Sequence, residues 1–244
     1  MTNSIASQPT SFVQVGRGLY KQIIKIYGGR AWANSVTAIL HRFAPALPAK
    51  FIEFDKKGRG DAVNHDLYGY DLERDLAVIQ VRQASRTRAN GFLNVRKSYF
   101  LVGFTETGEP FRHPVEPKVV QKASQNDGDP ADVVRAAERW IFQVTAAQYS
   151  AGLRQGDVFM YPVKRRPPKT AERVGLRLSV LETHEIRALD IVRDSNGKIY
   201  AYDPRLYHLK GQHDTLYATT VDQWWVIVPG REARTYDFAE RLGD

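Results

Sequence analysis

Residues 76–105 read LAVIQVRQASRTRANGFLNVRKSYFLVGFT, thirty positions without one Asp or Glu. Branched residues crowd its start, and further on Val95, Lys97, Tyr99 and Leu101 alternate as a strand with one basic or aromatic face would. The stretch reads as paired strands and the loop that joins them, and it sets an antiparallel β section in the first half of the chain. Its cations, Arg82, Arg86, Arg88, Arg96 and Lys97, are interleaved with Phe92, Tyr99, Phe100 and Phe104. Positive charge that attracts phosphates beside flat rings that stack on bases is what single-stranded nucleic acid requires of a binding surface.

Upstream, Trp32, Val36, Ile39, Leu40 and Phe43 recur at three- and four-residue spacing, which predicts a half-buried helix over 31–43, stopped by Pro45 and Pro48. Lys50–Asp55 is strand-like, and Lys56–Asp61 is a charged turn. Downstream, Thr107-Gly108-Glu109-Pro110 suits a hairpin turn. A polar loop over 122–132 leads into a second principal helix, with Asp129 as its cap and Pro130 at its first position. Val133, Ala137, Trp140, Ile141 and Val144 carry its apolar stripe to about Tyr149.

From there the pattern is β. Val158–Val163, Val174–Leu181, Glu185–Val192, Lys198–Tyr202 and Trp224–Val228 are branched and aromatic runs, and Asp194-Ser195-Asn196-Gly197 is a tight hairpin turn. The expected fold class is therefore α+β. A mixed region over 1–150, with two principal helices and an antiparallel section, precedes a β-rich small barrel or sandwich over 151–244, with separate cores or a shared one.

Composition narrows the chemistry. A formal charge of +8 and a pI near 9.6 favour an anionic partner. The absence of cysteine removes thiol catalysis, disulfides and cysteine-bound metals. No apolar run approaches membrane-spanning length and the first residues lack a secretory pattern, so a soluble, cytoplasmic protein with no membrane partner is expected.

A second basic run, Lys164-Arg165-Arg166-Pro167-Pro168-Lys169, follows a strand, and its prolines hold it in an exposed loop. Trp224 and Trp225 face opposite sides of their strand, one towards the core and one towards a surface. The leading expectation is a non-catalytic binder of RNA or single-stranded DNA, part of a nucleoprotein complex, with no cofactor. Its contacts would come from Arg82, Arg86, Arg88, Phe92, Arg96, Lys97, Tyr99, Lys164, Arg165 and Arg166.

Two alternatives accompany it. A metal-dependent phosphodiester hydrolase would draw ligands from His184, His208 and His213, with Asp214 beside them. The four residues between His208 and His213 match neither one helix face nor one strand face, which weighs against that site. His184 as a general base with Arg187 steadying a phosphate is a related catalytic idea, but strand alternation puts the two on opposite faces. A structural subunit that buries its aromatics against protein partners or copies of itself is the other alternative.

Overall fold

The computed structural model describes residues 30–55, 59–86, 93–104, 108–125, 128–209, 215–218 and 221–231. They form two compact units, and one of the boundaries between them falls inside a helix, between Ala137 and Glu138. Among the described residues four α-helices and two antiparallel sheets make the fold α+β, with a barrel-like sheet in the second unit.

In the first unit, α1 (Arg30–Arg42) leads through a short 3-10 turn into β1 (Phe51–Phe54), β2 (Gly60–Asp71), β3 (Leu76–Arg86), β4 (Leu93–Phe104) and β5 (Pro110–Val115). Each strand pairs antiparallel with the next, so the sheet is a simple meander. The three- and four-residue spacing of Val36, Ile39 and Phe43 turns one face of α1 onto Leu67, Ile79, Val81, Phe100 and Val102. The 76–105 stretch is indeed a β3–β4 hairpin, with Ile79 opposite Phe100 and Arg82 opposite Lys97.

Two elements are not legible in the pattern. β2 carries an irregularity between Leu67 and Gly69 that breaks its alternation, and α2 (Pro117–Ala123) is a single short helix started by Pro117. Gly69 is required by packing: a Cβ there would lie 2.5 Å from the Val133 Cβ and 2.6 Å from the Pro130 carbonyl oxygen. A larger residue would push α3 (Pro130–Ile141) off the strand.

The side chain of Asp129 caps α3, accepting from the Ala131 amide at 3.0 Å. The helix ends at Ile141 and does not continue to Tyr149 as its apolar stripe predicts. Gln143 takes a left-handed φ of 54°, and Thr145 opens a new helix, α4 (Ala146–Ala151), with a capping box to Gln148. Thr145 Oγ1 accepts from the Gln148 amide while Gln148 Oε1 accepts from the Thr145 amide. A Thr145→Ala variant should lose about 1 kcal/mol of stability, read from a urea unfolding curve.

The second unit continues with β6 (Leu153–Gln155), β7 (Val158–Val163), β8 (Glu172–Val180), β9 (His184–Arg193), β10 (Ile199–Tyr202), β11 (Arg205–His208), β12 (Leu216–Tyr217) and β13 (Trp224–Pro229). Three of these, β6, β11 and β12, are too short to show a run in the sequence. The strand order is β12-β11-β9-β10-β13-β7-β6, and β8 lies on the other side of β9. Both β10 and β11 pair with β9, so they act as one strand broken at Asp203-Pro204. The turn after β9 forms as predicted, with the Gly197 amide bonded to the Asp194 carbonyl and Gly197 at φ 79°. Inside the curl, Met160, Ile186, Ile191, Ala201, Trp225 and Ile227 make a continuous core.

Candidate nucleic-acid interface

The β3–β4 hairpin divides its cations between two faces. Ile79 and Val81 enter the core under α1, so the alternate residues Gln80, Arg82 and Arg86 face the other way. Cross-strand register places Lys97 and Tyr99 on that second face with Arg82, whereas Arg96 lies opposite Gln83 on the first. Arg96 therefore does not act with Arg82 and Lys97 on one surface.

Tyr99 is buried, at 3% exposure. Its ring meets Tyr68 edge-on at 5.1 Å, and its hydroxyl accepts from Gln121 of α2 at 3.3 Å. In that position the ring has no open side for a base. Arg82 is half-buried and lies 3.4 Å from Asp66, while Lys97 and Arg96 are exposed. Arg88 and Phe92 lie outside the described residues.

The Lys164–Lys169 loop has a richer setting. In β13 the strand alternation sends Trp225 into the core, fully buried, and leaves Trp224 half-buried on the outer face. Register sets Tyr202 opposite Trp224 on β10, and the two rings lie 5.3 Å apart at 49°. The basic loop folds alongside this pair. Lys164, Arg166, Asp222 and Gln223 line an open groove of about 820 Å³ together with the two aromatic residues.

Acidic groups at the groove are engaged. Asp190 pairs with Arg173 at 2.8 Å, and Asp222 accepts from the Tyr202 hydroxyl at 3.5 Å. The Tyr202 phenol is held above its usual range by desolvation, by Asp222 and by Asp203, so it remains a neutral hydrogen-bond donor. Arg165 is exposed on the same loop. Chemically the groove offers cations for phosphate and rings for a base; of its two carboxylates Asp190 is ion-paired with Arg173, whereas Asp222 keeps its charge beside the neutral phenol.

The histidines group differently. His184 and His208 are direct cross-strand partners on β9 and β11, with rings 4.7 Å apart and edge to face. His184 is buried, its Nδ1 lies 2.9 Å from Thr183 Oγ1, and the left-handed Gly156 turn backs onto its ring. Ile186 follows His184 inward, while Glu185 and Arg187 form an ion pair outside. Among the described residues no three His, Asp or Glu side chains converge as a metal site. His213 and Asp214 lie outside the described residues.

No local signal in the sequence marks Tyr202 or Asp222. Only the β10–β13 register brings Tyr202 to Trp224, and Asp222 joins them from a turn with φ 57°. No helix among the described residues is long and apolar enough to cross a membrane. The fold and the groove define an α+β protein with a basic, aromatic surface on a barrel-like sheet. No known family model, curated protein or solved structure matches the chain.

Proposed function

We propose that this protein binds single-stranded nucleic acid, RNA or DNA, as a non-catalytic component of a nucleoprotein complex. The observation that carries this reading is the groove in which Lys164 and Arg166 meet Tyr202 and Trp224. Phosphates would sit against the loop cations, releasing counterions, while a base stacks on the exposed side of the aromatic pair. Duplex DNA fits less well, because a half-buried ring on a sheet face reaches an unstacked base and not a paired one. The overall charge of +8 and the Arg82 and Lys97 face of the first unit add long-range attraction.

Affinity for labelled oligouridylate and oligothymidylate across a salt series tests the reading. Joint replacement of Lys164, Arg165 and Arg166 by Gln should lower the slope of log affinity against log salt by about 0.7 for each phosphate no longer neutralised. Trp224→Ala should remove about 1–3 kcal/mol of stacking, roughly a 5- to 150-fold weaker complex. If neither change, nor a further Arg82→Gln and Lys97→Gln pair, alters binding, the reading is wrong.

A further inference from the structure

Register in the barrel-like sheet assembles a row of like charges that no short stretch of the sequence contains. Arg177 of β8 lies directly opposite Arg187 of β9, and Arg187 lies directly opposite Arg205 of β11. Tyr217 of β12 stands next in the same row, opposite Arg205. Leu178, Ile186 and Leu206 fill the core, so the alternate positions that carry the arginines belong to the outer face. Adjacent strands lie about 4.8 Å apart, which puts three guanidinium-bearing positions within about 10 Å.

Like charges in directly opposed cross-strand positions destabilise a sheet. Among the described residues one carboxylate offsets them, Glu185, which pairs with Arg187. In the same set Arg177 and Arg205 have no acidic partner, and both are exposed. Rings hold two of the arginines in order: the Arg187 guanidinium lies 4.3 Å from the Tyr207 ring centroid, and that of Arg205 lies 5.4 Å from the centroid of Tyr217. A guanidinium resting on a ring keeps its in-plane N–H groups available for a bidentate phosphate contact. Tyr217 is 58% exposed and adds a stacking surface at the end of the row.

The row also continues the groove. Tyr202, in the lining of the groove, is three residues before Arg205 on the same broken strand, a distance of at most about 11 Å along the chain. We infer that Arg177, Arg187 and Arg205, the last two steadied by Tyr207 and Tyr217, form a second phosphate-binding subsite. It would extend the path of one single-stranded nucleic acid from the Tyr202 and Trp224 groove across β11, β9 and β8. This inference rests on the proposed binding function and adds where the strand runs beyond the groove.

The test compares wild type, Arg177→Gln with Arg205→Gln, the corresponding Lys pair, and Lys164→Gln with Arg166→Gln, each titrated with labelled oligothymidylate in a salt series. The Gln pair at 177 and 205 should lower the salt slope by about 1.4, at about 0.7 per phosphate, while the Lys pair retains it. Both side chains are exposed, so the fold should be kept, and relief of the opposed charges should leave the melting temperature equal or higher. An unchanged slope in the 177 and 205 Gln pair, alongside weakened binding in the 164 and 166 pair, overturns the second subsite and leaves the groove standing. Wild-type protein that does not bind the oligonucleotide overturns both.

Discussion

Replacing Glu138 by Ala is expected to cost the second unit about 3–5 kcal/mol, the range for removing one partner of a buried ion pair. Glu138 is fully buried at the C-terminal end of α3. One carboxylate oxygen accepts from Arg154 of β6 at 2.5 Å, and the other accepts from the Tyr149 hydroxyl of α4. Arg154 also donates to the Gly156 carbonyl at 2.8 Å and lies over the Phe142 ring. One carboxylate thus joins two helices to the first strand of the barrel-like sheet.

Without it, Arg154 keeps a charge at only 21% side-chain exposure with its principal counter-ion gone. Glu138→Gln should lose less, because an amide oxygen still accepts from Arg154 or Tyr149. A second change, Arg154→Met, should recover part of the Glu138→Ala loss by removing the stranded cation. Tryptophan fluorescence during urea unfolding reads this unit selectively, since three of the four tryptophans, Trp140, Trp224 and Trp225, belong to it. A loss under about 1 kcal/mol would show that water, and not burial, surrounds the pair.

The legible parts of the fold are those whose signals are local. The Asp194–Gly197 turn, the capped start of α3 and the opposite placement of Trp224 and Trp225 each follow from a few neighbouring residues. The break between α3 and α4 is also local, written in Thr145-Ala146-Ala147-Gln148, but the apolar stripe running past it hides the capping box. Register is what the sequence conceals. A one-residue slip reverses every side chain of a strand, and the sequence does not fix which residues stand opposite each other. That is why Arg96 reads as a neighbour of Arg82 although the sheet separates them, and why Tyr99 reads as exposed although α2 covers it. For the same reason Arg177, Arg187 and Arg205 look unrelated along the chain: they meet only through two antiparallel pairings.

Acid should weaken the first unit through His65, and substitution there should remove much of that sensitivity. His65 lies on β2 opposite Val81, at 8% exposure, and its pKa falls to about 4. Burial is the main cause, the charge of Lys50 adds to it, and a hydrogen bond with the Pro48 backbone opposes it. In the unfolded chain the ring takes its proton near 6.5, while the folded protein refuses it until about pH 4. Between those values the unfolded state binds more protons, so stability falls as pH falls, and above about pH 7 the group contributes nothing to the pH dependence. The loss reaches about 2 kcal/mol at pH 5 and levels off near 3 kcal/mol below pH 4. Carboxylates ordinarily titrate in part of this range, so the useful quantity is the difference between wild type and His65→Gln at each pH. Hydrogen exchange of the β2–β4 amides at about pH 7.5 and about pH 5 should show wild type losing about 2 kcal/mol more than the variant. Parallel losses would mean that the imidazole is hydrated in the folded state and gains its proton without opening the sheet.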